Sequence, residues 1–265
     1  MKETSLINQS HLLKTDSIKL SNEPFPHYLI NNFFKKEIAE ELESEFPDFN
    51  SSVWHIYKNQ LEIKKTCNDW NKFPKLTYKV FSYLNSNDFI EYISKCLFKN
   101  ILLYPDFGLH GGGWHIHGKG GKLNTHLDYS IHPKLKKQRK LNLIIYLNSN
   151  WQESWGGKLG FWNNQNSKEP GGLVKEIEPK FNTAIIFDTS MNSWHGLTSK
   201  IKSPENEFRK SIAIYYLTNP ADNTDKRSRA LFSPSEEQKN DPAILNLIKM
   251  RSDELNANKV YQTDY

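Results

Sequence analysis

The sequence predicts an α+β fold that is mainly β: an antiparallel double sheet, preceded by helices and followed by one more helix. Apolar residues recur every four positions within the first hundred residues, which is helical spacing. From about residue 100, short apolar segments alternate with Gly, Asn and Pro turns, and no helical segment separates them. Closely spaced strands of this kind favour a β-sandwich or barrel over βαβ units. The aromatic content of 13% also favours a tightly packed, β-rich fold.

The helical pattern marks four segments, and the residues near their ends support them. The expected helices cover residues 35–46, 73–84, 87–98 and 242–255. Ser86 or Asn87 is suited to cap the third helix, because a side-chain oxygen there accepts a backbone N–H of the first turn. Asp241 is expected to cap the fourth helix, with Leu245 and Ile248 on its buried face.

The strand pattern is denser and lies mostly in the second half of the chain. The expected strands cover residues 25–30, 101–104, 122–129, 141–147, 157–162, 173–177, 183–187 and 211–217. A length of 265 residues fits one domain. The first 20 residues are polar and weakly patterned, so we expect an N-terminal arm over 1–20 and a single domain over 21–265.

The charge pattern argues against a nucleic-acid-binding protein. The net charge is +5, and a nucleic-acid binder usually concentrates its positive charge. The densest basic run, residues 134–140, is either a solvated loop or a contact for an anionic partner. Nucleic acid is therefore an unlikely partner.

The cysteines and the apolar runs bear on cellular location. Cys67 and Cys96 are not in a CxxC spacing, so we expect reduced, buried thiols and no disulfide framework. The N-terminus lacks the basic-then-apolar pattern of a signal peptide. No apolar run approaches the roughly 20 residues of a membrane span. These features predict a cytoplasmic protein that does not associate with membranes.

A histidine and a carboxylate two residues apart are the first candidate for chemistry. His126 and Asp128 share one face of a strand, because strand side chains alternate. An antiparallel fold can bring the distant His195 beside them. Two imidazoles and one carboxylate are the ligand set of non-haem Fe(II) oxygenases. The alternative is that the histidines are ordinary hydrogen-bonded loop residues, since nine histidines make chance matches easy.

Arg209 strengthens the metal-site interpretation. It lies 14 residues after His195 and begins an expected strand, with Ser211 on the same face. A guanidinium pairs with a carboxylate in bidentate fashion, and a nearby hydroxyl adds a third hydrogen bond. This pair is suited to the distal carboxylate of 2-oxoglutarate, whereas the alternative is a solvent-exposed arginine at a strand edge.

A glycine-rich loop is expected just before the metal residues, over 109–121. It contains Trp114, His115 and His117, which we expect to contact substrate together with Tyr129, because glycine loops often carry binding groups. The alternative is a structural hairpin with surface histidines. His115 and His117 are also a rival metal pair, but no carboxylate lies near them in the sequence.

Several ordered segments resemble a known family. The stretch from about 107 to 217 is similar to the Fe(II)/2-oxoglutarate-dependent dioxygenases, in particular the prolyl-4-hydroxylase-like branch. The matching segments are 121–128, 142–148, 151–159, 178–182, 194–196 and 209–216. The resemblance implies a double-stranded β-helix of the jelly-roll or cupin-like type. It has N-terminal supporting helices, a C-terminal helix and a catalytic core at about 100–220.

The resemblance also implies roles for individual residues. It makes His126, Asp128 and His195 the iron ligands. It makes Arg209 the partner of the 2-oxoglutarate C5 carboxylate and places the phenol of Tyr146 on the same carboxylate. By strand alternation, Asn142 faces the same side as Tyr146 and is expected to line the co-substrate pocket with Ser211.

The implied activity is hydroxylation of an unactivated C–H bond with Fe(II), 2-oxoglutarate and O2, releasing succinate and CO2. A carboxylate at Asp128 favours hydroxylation, because related halogenases have a small residue at this position. The substrate is a small molecule or a peptidyl group, prolyl groups included. The alternative function is a non-catalytic, cupin-like metal-binding protein. The sequence leaves the oligomeric state, the regiochemistry and the role of residues 134–140 open.

Overall fold

The computed structural model describes residues 18–98, 100–166, 168–189 and 192–260. The helices are α1 (Lys36–Ser44), α2 (Lys75–Leu84), α3 (Asn87–Leu97) and α4 (Pro242–Ser252). The first seven strands are β1 (Ile18–Ser21), β2 (His27–Ile30), β3 (His55–Lys58), β4 (Glu62–Cys67), β5 (Gly113–His117), β6 (Lys122–Leu123) and β7 (His126–Leu127). The other strands are β8 (Gln138–Tyr146), β9 (Leu159–Asn166), β10 (Glu169–Ile177), β11 (Thr183–Asp188), β12 (His195–Leu197), β13 (Arg209–Thr218) and β14 (Leu231–Phe232).

Two antiparallel sheets form the core. The major sheet has the strand order β1-β2-β11-β8-β13-β5-β4-β3, with β6 paired to β4. The minor sheet has the order β10-β9-β12-β7-β14. This mainly β architecture, with helices before and after the sheets, confirms the predicted fold class.

The two faces of the major sheet have different roles, and β13 shows how the sequence separates them. Ile212 and Ile214 belong to the apolar core that includes the residues of α1, α2 and α3. Ser211 and Tyr215 alternate with them and line a cavity on the opposite face, where the minor sheet lies. The helices therefore cover one face, and the other face is available for a polar site.

The helices agree with the sequence predictions at their caps. The Ser86 Oγ accepts a hydrogen bond from the Phe89 N–H, and the Asp241 side chain accepts one from the Ala243 N–H. One detail of α4 was predicted incorrectly, because Leu245 is exposed. The helix packs through Ile244 instead, and Leu245 lies about 100° further round the helix.

Two predicted strands and one predicted loop need correction. Residues 101–104 contribute only an isolated bridge from Tyr104 to Leu217; Leu103 is buried in the core, but Leu102 is exposed and the segment does not pair further. The expected strand over 122–129 is two short strands that belong to different sheets. The expected loop over 109–121 contains β5, a central strand of the major sheet.

The described residues bear only in part on the predictions for the N-terminal arm, the cysteines and the membrane spans. Of the expected arm over 1–20, only residues 18–20 are described, and they belong to β1. Cys67 is buried with a free thiol, whose pKa is raised by burial, while the Cys96 side chain lies outside the described residues. Among the helices described, none is long and apolar enough to cross a membrane.

Candidate metal centre and active site

His126, Asp128 and His195 meet between the two sheets. His126 and His195 are direct cross-strand partners in β7 and β12, and their ring centroids are 4.3 Å apart. The Nε2 atoms of His126 and His195 each lie 3.7 Å from an Asp128 carboxylate oxygen. One ligand atom from each residue lies within 4.8 Å of the others, so a single ion can contact all three. The expected histidine–carboxylate face is therefore assembled.

Backbone carbonyls orient both imidazoles toward this common point. The Nδ1 atom of His126 lies 3.0 Å from the Asn124 carbonyl oxygen, and Nδ1 of His195 lies 2.8 Å from that of Ser193. An Nδ1–H that donates to a carbonyl leaves Nε2 with its lone pair, which is the form that binds a metal. Burial lowers the pKa of His126 to about 3 and also lowers that of His195, so both rings are neutral at pH 7.

Asp128 has a cationic partner that the sequence analysis did not identify. The Nη1 atom of Arg139 lies 3.0 Å from the Asp128 Oδ1. The guanidinium is sandwiched between two phenol rings, with centroids 3.5 Å away for Tyr129 and 3.4 Å for Tyr215. Burial alone would raise the pKa of Asp128, but the charge of Arg139 holds it below its usual value. The carboxylate is therefore ionised and held in place.

A β-bulge explains how Arg139 reaches the site. On β8, Leu141 pairs with Tyr216 and Arg139 pairs with Leu217, so Lys140 is an extra residue in the ladder. Without the bulge, regular alternation would direct Arg139 to the face of Leu141, which packs against the helices. The expected basic run over 134–140 is thus not uniformly a solvated loop, since Arg139 is 2% exposed.

A second arginine lies beside the metal centre. Arg209 is buried, and its Nε donates a hydrogen bond of 2.8 Å to the Gly157 carbonyl oxygen. Its guanidinium carbon lies 4.8 Å from the ring centroid of Tyr146, whose hydroxyl is buried without a hydrogen-bond partner among the described residues. Ser211 and Asn142 line the same cavity, and the Asn142 Oδ1 is also buried without a partner.

These unpartnered polar atoms test whether the residues fit the implied metal and co-substrate. The second carboxylate oxygen of Asp128 is buried and has no hydrogen bond among the described residues, although it lies beside His195. The phenol of Tyr146 is in the same situation beside Arg209. Buried polar atoms without partners are costly unless a ligand satisfies them. A divalent cation at the first place and a carboxylate at the second would satisfy both, so the residues fit Fe(II) and 2-oxoglutarate.

One cavity of about 260 Å³ connects the metal centre, Arg209 and most of the predicted substrate contacts. His115, His117 and Tyr129 all line it. The first two are neutral because burial lowers the pKa of His115 to about 3 and that of His117 well below its ordinary value. They are not part of a complete rival metal site, because among the described residues the only group of three or more such ligands is His126, Asp128 and His195.

Trp114 was wrongly expected to contact substrate. It is fully buried, and its ring packs against Phe46, Trp54 and Phe73 on the helical side of the major sheet. The reason is the strand geometry of β5, in which Trp114 points away from the cavity when His115 points into it.

Four further charged residues of the cavity were missed by the sequence analysis: Glu62, Lys64, Arg229 and Arg251. The first two alternate on β4, a strand that was not predicted because its pattern of polar residues has no apolar face. The only available signal was the alternation of Glu62, Lys64 and Thr66 with Ile63, Lys65 and Cys67.

Comparison with known proteins identifies similar sequences over the same region. The family model described as the 2OG-Fe(II) oxygenase superfamily matches residues 112–217, which contain the metal triad and Arg209. A curated relative, prolyl 3-hydroxylase OGFOD1 of Xenopus laevis, is 26% identical over 201 residues, covering 76% of this chain and 36% of that protein. The chain thus spans little more than a third of the length of the curated relatives it matches.

Two solved structures share the fold. A Pseudomonas putida prolyl-4-hydroxylase aligns with a TM-score of 0.52 at 13% identity, over 80% of this chain and 98% of that one. A Trichoplax adhaerens prolyl hydroxylase, in complex with a hypoxia inducible factor oxygen degradation domain peptide fragment, aligns with a TM-score of 0.50 at 20% identity. That alignment covers 80% of this chain and 87% of the other. At these identities the likeness concerns the double-stranded β-helix alone.

Proposed function

We propose that this chain is a 2-oxoglutarate-dependent hydroxylase of the prolyl-4-hydroxylase-like type, on the premise that the match of residues 112–217 to the 2OG-Fe(II) oxygenase superfamily model extends to its chemistry. The reaction would hydroxylate an unactivated C–H bond of a small-molecule or peptidyl substrate and release succinate and CO2. The observation that carries the proposal is the convergence of His126, Asp128 and His195 in one cavity with Arg209.

Each residue has a defined task in this proposal. The two histidines and Asp128 would hold Fe(II), which supplies O2 activation when it is bound. Arg209 would pair with the C5 carboxylate of 2-oxoglutarate, supported by Tyr146 and Ser211. Asn142 would contact the same co-substrate. The intact carboxylate at Asp128 supports hydroxylation, because it occupies the position that a halide would need.

The residues around the metal ligands would help them to hold the ion. Arg139 holds the Asp128 side chain, and Arg227 donates two hydrogen bonds to the Asp128 backbone oxygen, at 3.3 and 3.0 Å. Phe232 stacks on the His126 ring with a centroid distance of 5.1 Å. These contacts fix the ligand orientations before metal binds, which lowers the cost of forming the site.

The proposal is tested by adding Fe(II) and 2-oxoglutarate anaerobically and recording the visible metal-to-ligand charge-transfer band. We expect the band in the wild type and its loss in the double variant His126→Ala, Asp128→Ala. His55→Ala is the matched control, because His55 is an exposed histidine of β3 that does not line the cavity.

The same experiment separates the hydroxylase from a non-catalytic, cupin-like metal-binding protein. That alternative predicts metal binding without a charge-transfer band, because 2-oxoglutarate would not chelate the ion. An undiminished band in the double variant would show that the metal binds elsewhere.

The substrate and the cellular location are the finer parts of the proposal. A peptidyl or small-molecule substrate is supported by the size of the cavity and by the prolyl hydroxylases among the similar proteins. Comparing succinate release with a proline-rich peptide library and with a metabolite pool tests the two classes. A cytoplasmic location is proposed on the sequence grounds given above, and fractionation of cells expressing the protein tests it.

A further inference from the structure

The walls of the cavity carry an excess of positive charge, and this excess remains after the metal ion and the co-substrate are counted. Among the described residues that line it, five carry a positive charge and two carry a negative charge, which leaves a net charge of +3. The positive residues are Lys64, Arg139, Arg209, Arg229 and Arg251, and the negative ones are Glu62 and Asp128. Fe(II) and the 2-oxoglutarate dianion would cancel each other, so loading the site leaves this excess unchanged.

Part of the excess lies on the β4 side of the cavity. The buried Glu62 carboxylate is shared by two cations, with Lys64 Nζ at 3.1 Å and Arg251 Nε at 3.3 Å. Arg229, on the wall formed by the minor sheet, has no ion pair with a described residue. Among the described residues, one carboxylate therefore faces two cations on the β4 side, whereas Arg139 is matched by Asp128 and Arg209 by the proposed co-substrate.

A buried histidine, His117, lies between Lys64 and Arg209. In the sheet register, His117 pairs with Arg209 on one side. On the other side, the pairing of Lys65 with Ile116 places Lys64 beside His117. His117 is 3% exposed, and neither of its ring nitrogens has a hydrogen-bond partner among the described residues. A neutral imidazole between two cations can donate an N–H to an anion, which would satisfy this orphaned group.

We propose that this cavity selects an anionic substrate, whose carboxylate or phosphate group binds beside Lys64 and His117. The inference rests on the proposed function and names the class of its substrate. The anion would compensate the excess positive charge, and it would hold the substrate on the β4 side of the metal. A lysine- or arginine-bearing substrate would meet like charge there.

The anion site is tested on protein loaded with Zn(II) and N-oxalylglycine, so that the metal and co-substrate positions are filled. Isothermal titration calorimetry is carried out with inorganic phosphate and with two acetylated, amidated peptides, Glu-Pro-Glu and Gln-Pro-Gln. We expect phosphate or the acidic peptide to bind; if the acidic peptide binds, it should do so at least 10-fold more tightly than its neutral counterpart. Binding of phosphate alone would indicate a small phosphorylated substrate, and binding of the acidic peptide would indicate a peptidyl one.

The variants Lys64→Gln and His117→Ala should each weaken anion binding at least 5-fold. Lys65→Gln is the matched control, because Lys65 is adjacent on β4 but faces away from the cavity, with its ammonium over the Phe49 ring. The inference is overturned if neither anion binds to the wild type, or if both cavity variants bind as well as the control. Failure of the hydroxylase proposal is separable, because it appears as a missing charge-transfer band with Fe(II) whatever the phosphate titration gives.

Discussion

Arg139 is the main residue that the structure adds to the predicted metal centre. Its guanidinium lies between two tyrosine rings and holds a ligand carboxylate at 3.0 Å, in a place that the basic composition of residues 134–140 does not indicate. Before metal binds, it compensates the buried negative charge of Asp128. The ion pair of Asp128 and Arg139 is therefore charge-balanced without the metal ion.

Replacing Arg139 should destabilise the metal-free protein. In Arg139→Gln the Asp128 carboxylate is left without its partner, and breaking a buried ion pair costs about 3 to 5 kcal/mol in the free energy of unfolding. Urea unfolding with EDTA measures this loss. Lys134→Gln, an exposed residue of the same basic run, should change the free energy of unfolding by less than about 0.5 kcal/mol. Equal effects of the two variants would contradict the assigned role.

Arg209 should act on one end of the co-substrate only. Truncating one partner of a buried charge pair costs at least about 2 kcal/mol, which is roughly a 30-fold loss of affinity. We expect Arg209→Gln to weaken 2-oxoglutarate by at least that factor in an anaerobic charge-transfer titration. The affinity for 2-oxopentanoate, which lacks the distal carboxylate, should be nearly unchanged. A similar loss for both ligands would indicate a general structural role for Arg209 instead.

At the scale of the elements, alternation along β5 decides which residues do chemistry. Trp114 and Ile116 pack with the helices, whereas His115 and His117 line the cavity. The glycines around this segment suggested a loop. In a loop, Trp114, His115 and His117 would all have been equally accessible. Pairing with β13 and β4 overrides the local glycine signal, because tertiary contacts outweigh weak local propensity.

Substitutions on the two faces of β5 should differ in how much they reduce the free energy of unfolding. Trp114→Ala should reduce the free energy of unfolding by about 3 to 5 kcal/mol, since it leaves a large cavity among aromatic rings. His117→Ala should have a much smaller effect on stability, because its ring nitrogens form no hydrogen bonds among the described residues. Thermal unfolding of both variants checks this. A His117 variant as unstable as the Trp114 variant would contradict the assignment of faces.

The elements also show what the sequence could and could not predict. Helices with strong periodicity and clear caps, such as α3 with Ser86, were predicted within a residue or two. The metal triad was predictable because its spacing reports directly on one strand face. Arg139 was not, since a single extra residue at Lys140 reverses the face it would occupy. Lys64 was missed because β4 has no apolar period of its own.

At the scale of the whole molecule, the protein keeps several histidines neutral inside one cavity. Burial is the largest cause, and it lowers the pKa of His110 to about 4 and that of His115 to about 3. Both titrate near 6.5 in an unfolded chain. Their neutral burial therefore costs nothing above pH 6.5, and it destabilises the fold increasingly as the pH falls from 6.5 toward 3 to 4.

Stability should consequently fall between pH 7.5 and pH 5 in the metal-free protein. His115 should account for about 2 kcal/mol of this fall, because at pH 5 the unfolded chain binds a proton at this position and the folded chain does not. His115→Asn should flatten the pH dependence of the free energy of unfolding by that amount. An unchanged slope in the variant, measured by urea unfolding at both pH values, would show that His115 is protonated in the folded state.

The central claim is that one ion binds His126, Asp128 and His195 while Arg209 holds the 2-oxoglutarate C5 carboxylate. An anomalous difference map from crystals grown anaerobically with Mn(II) and 2-oxoglutarate tests it most directly. We expect one peak between the two Nε2 atoms and the Asp128 carboxylate, with the distal carboxylate of the co-substrate on the Arg209 guanidinium. A peak at His115 and His117, or a co-substrate bound away from Arg209, would contradict it.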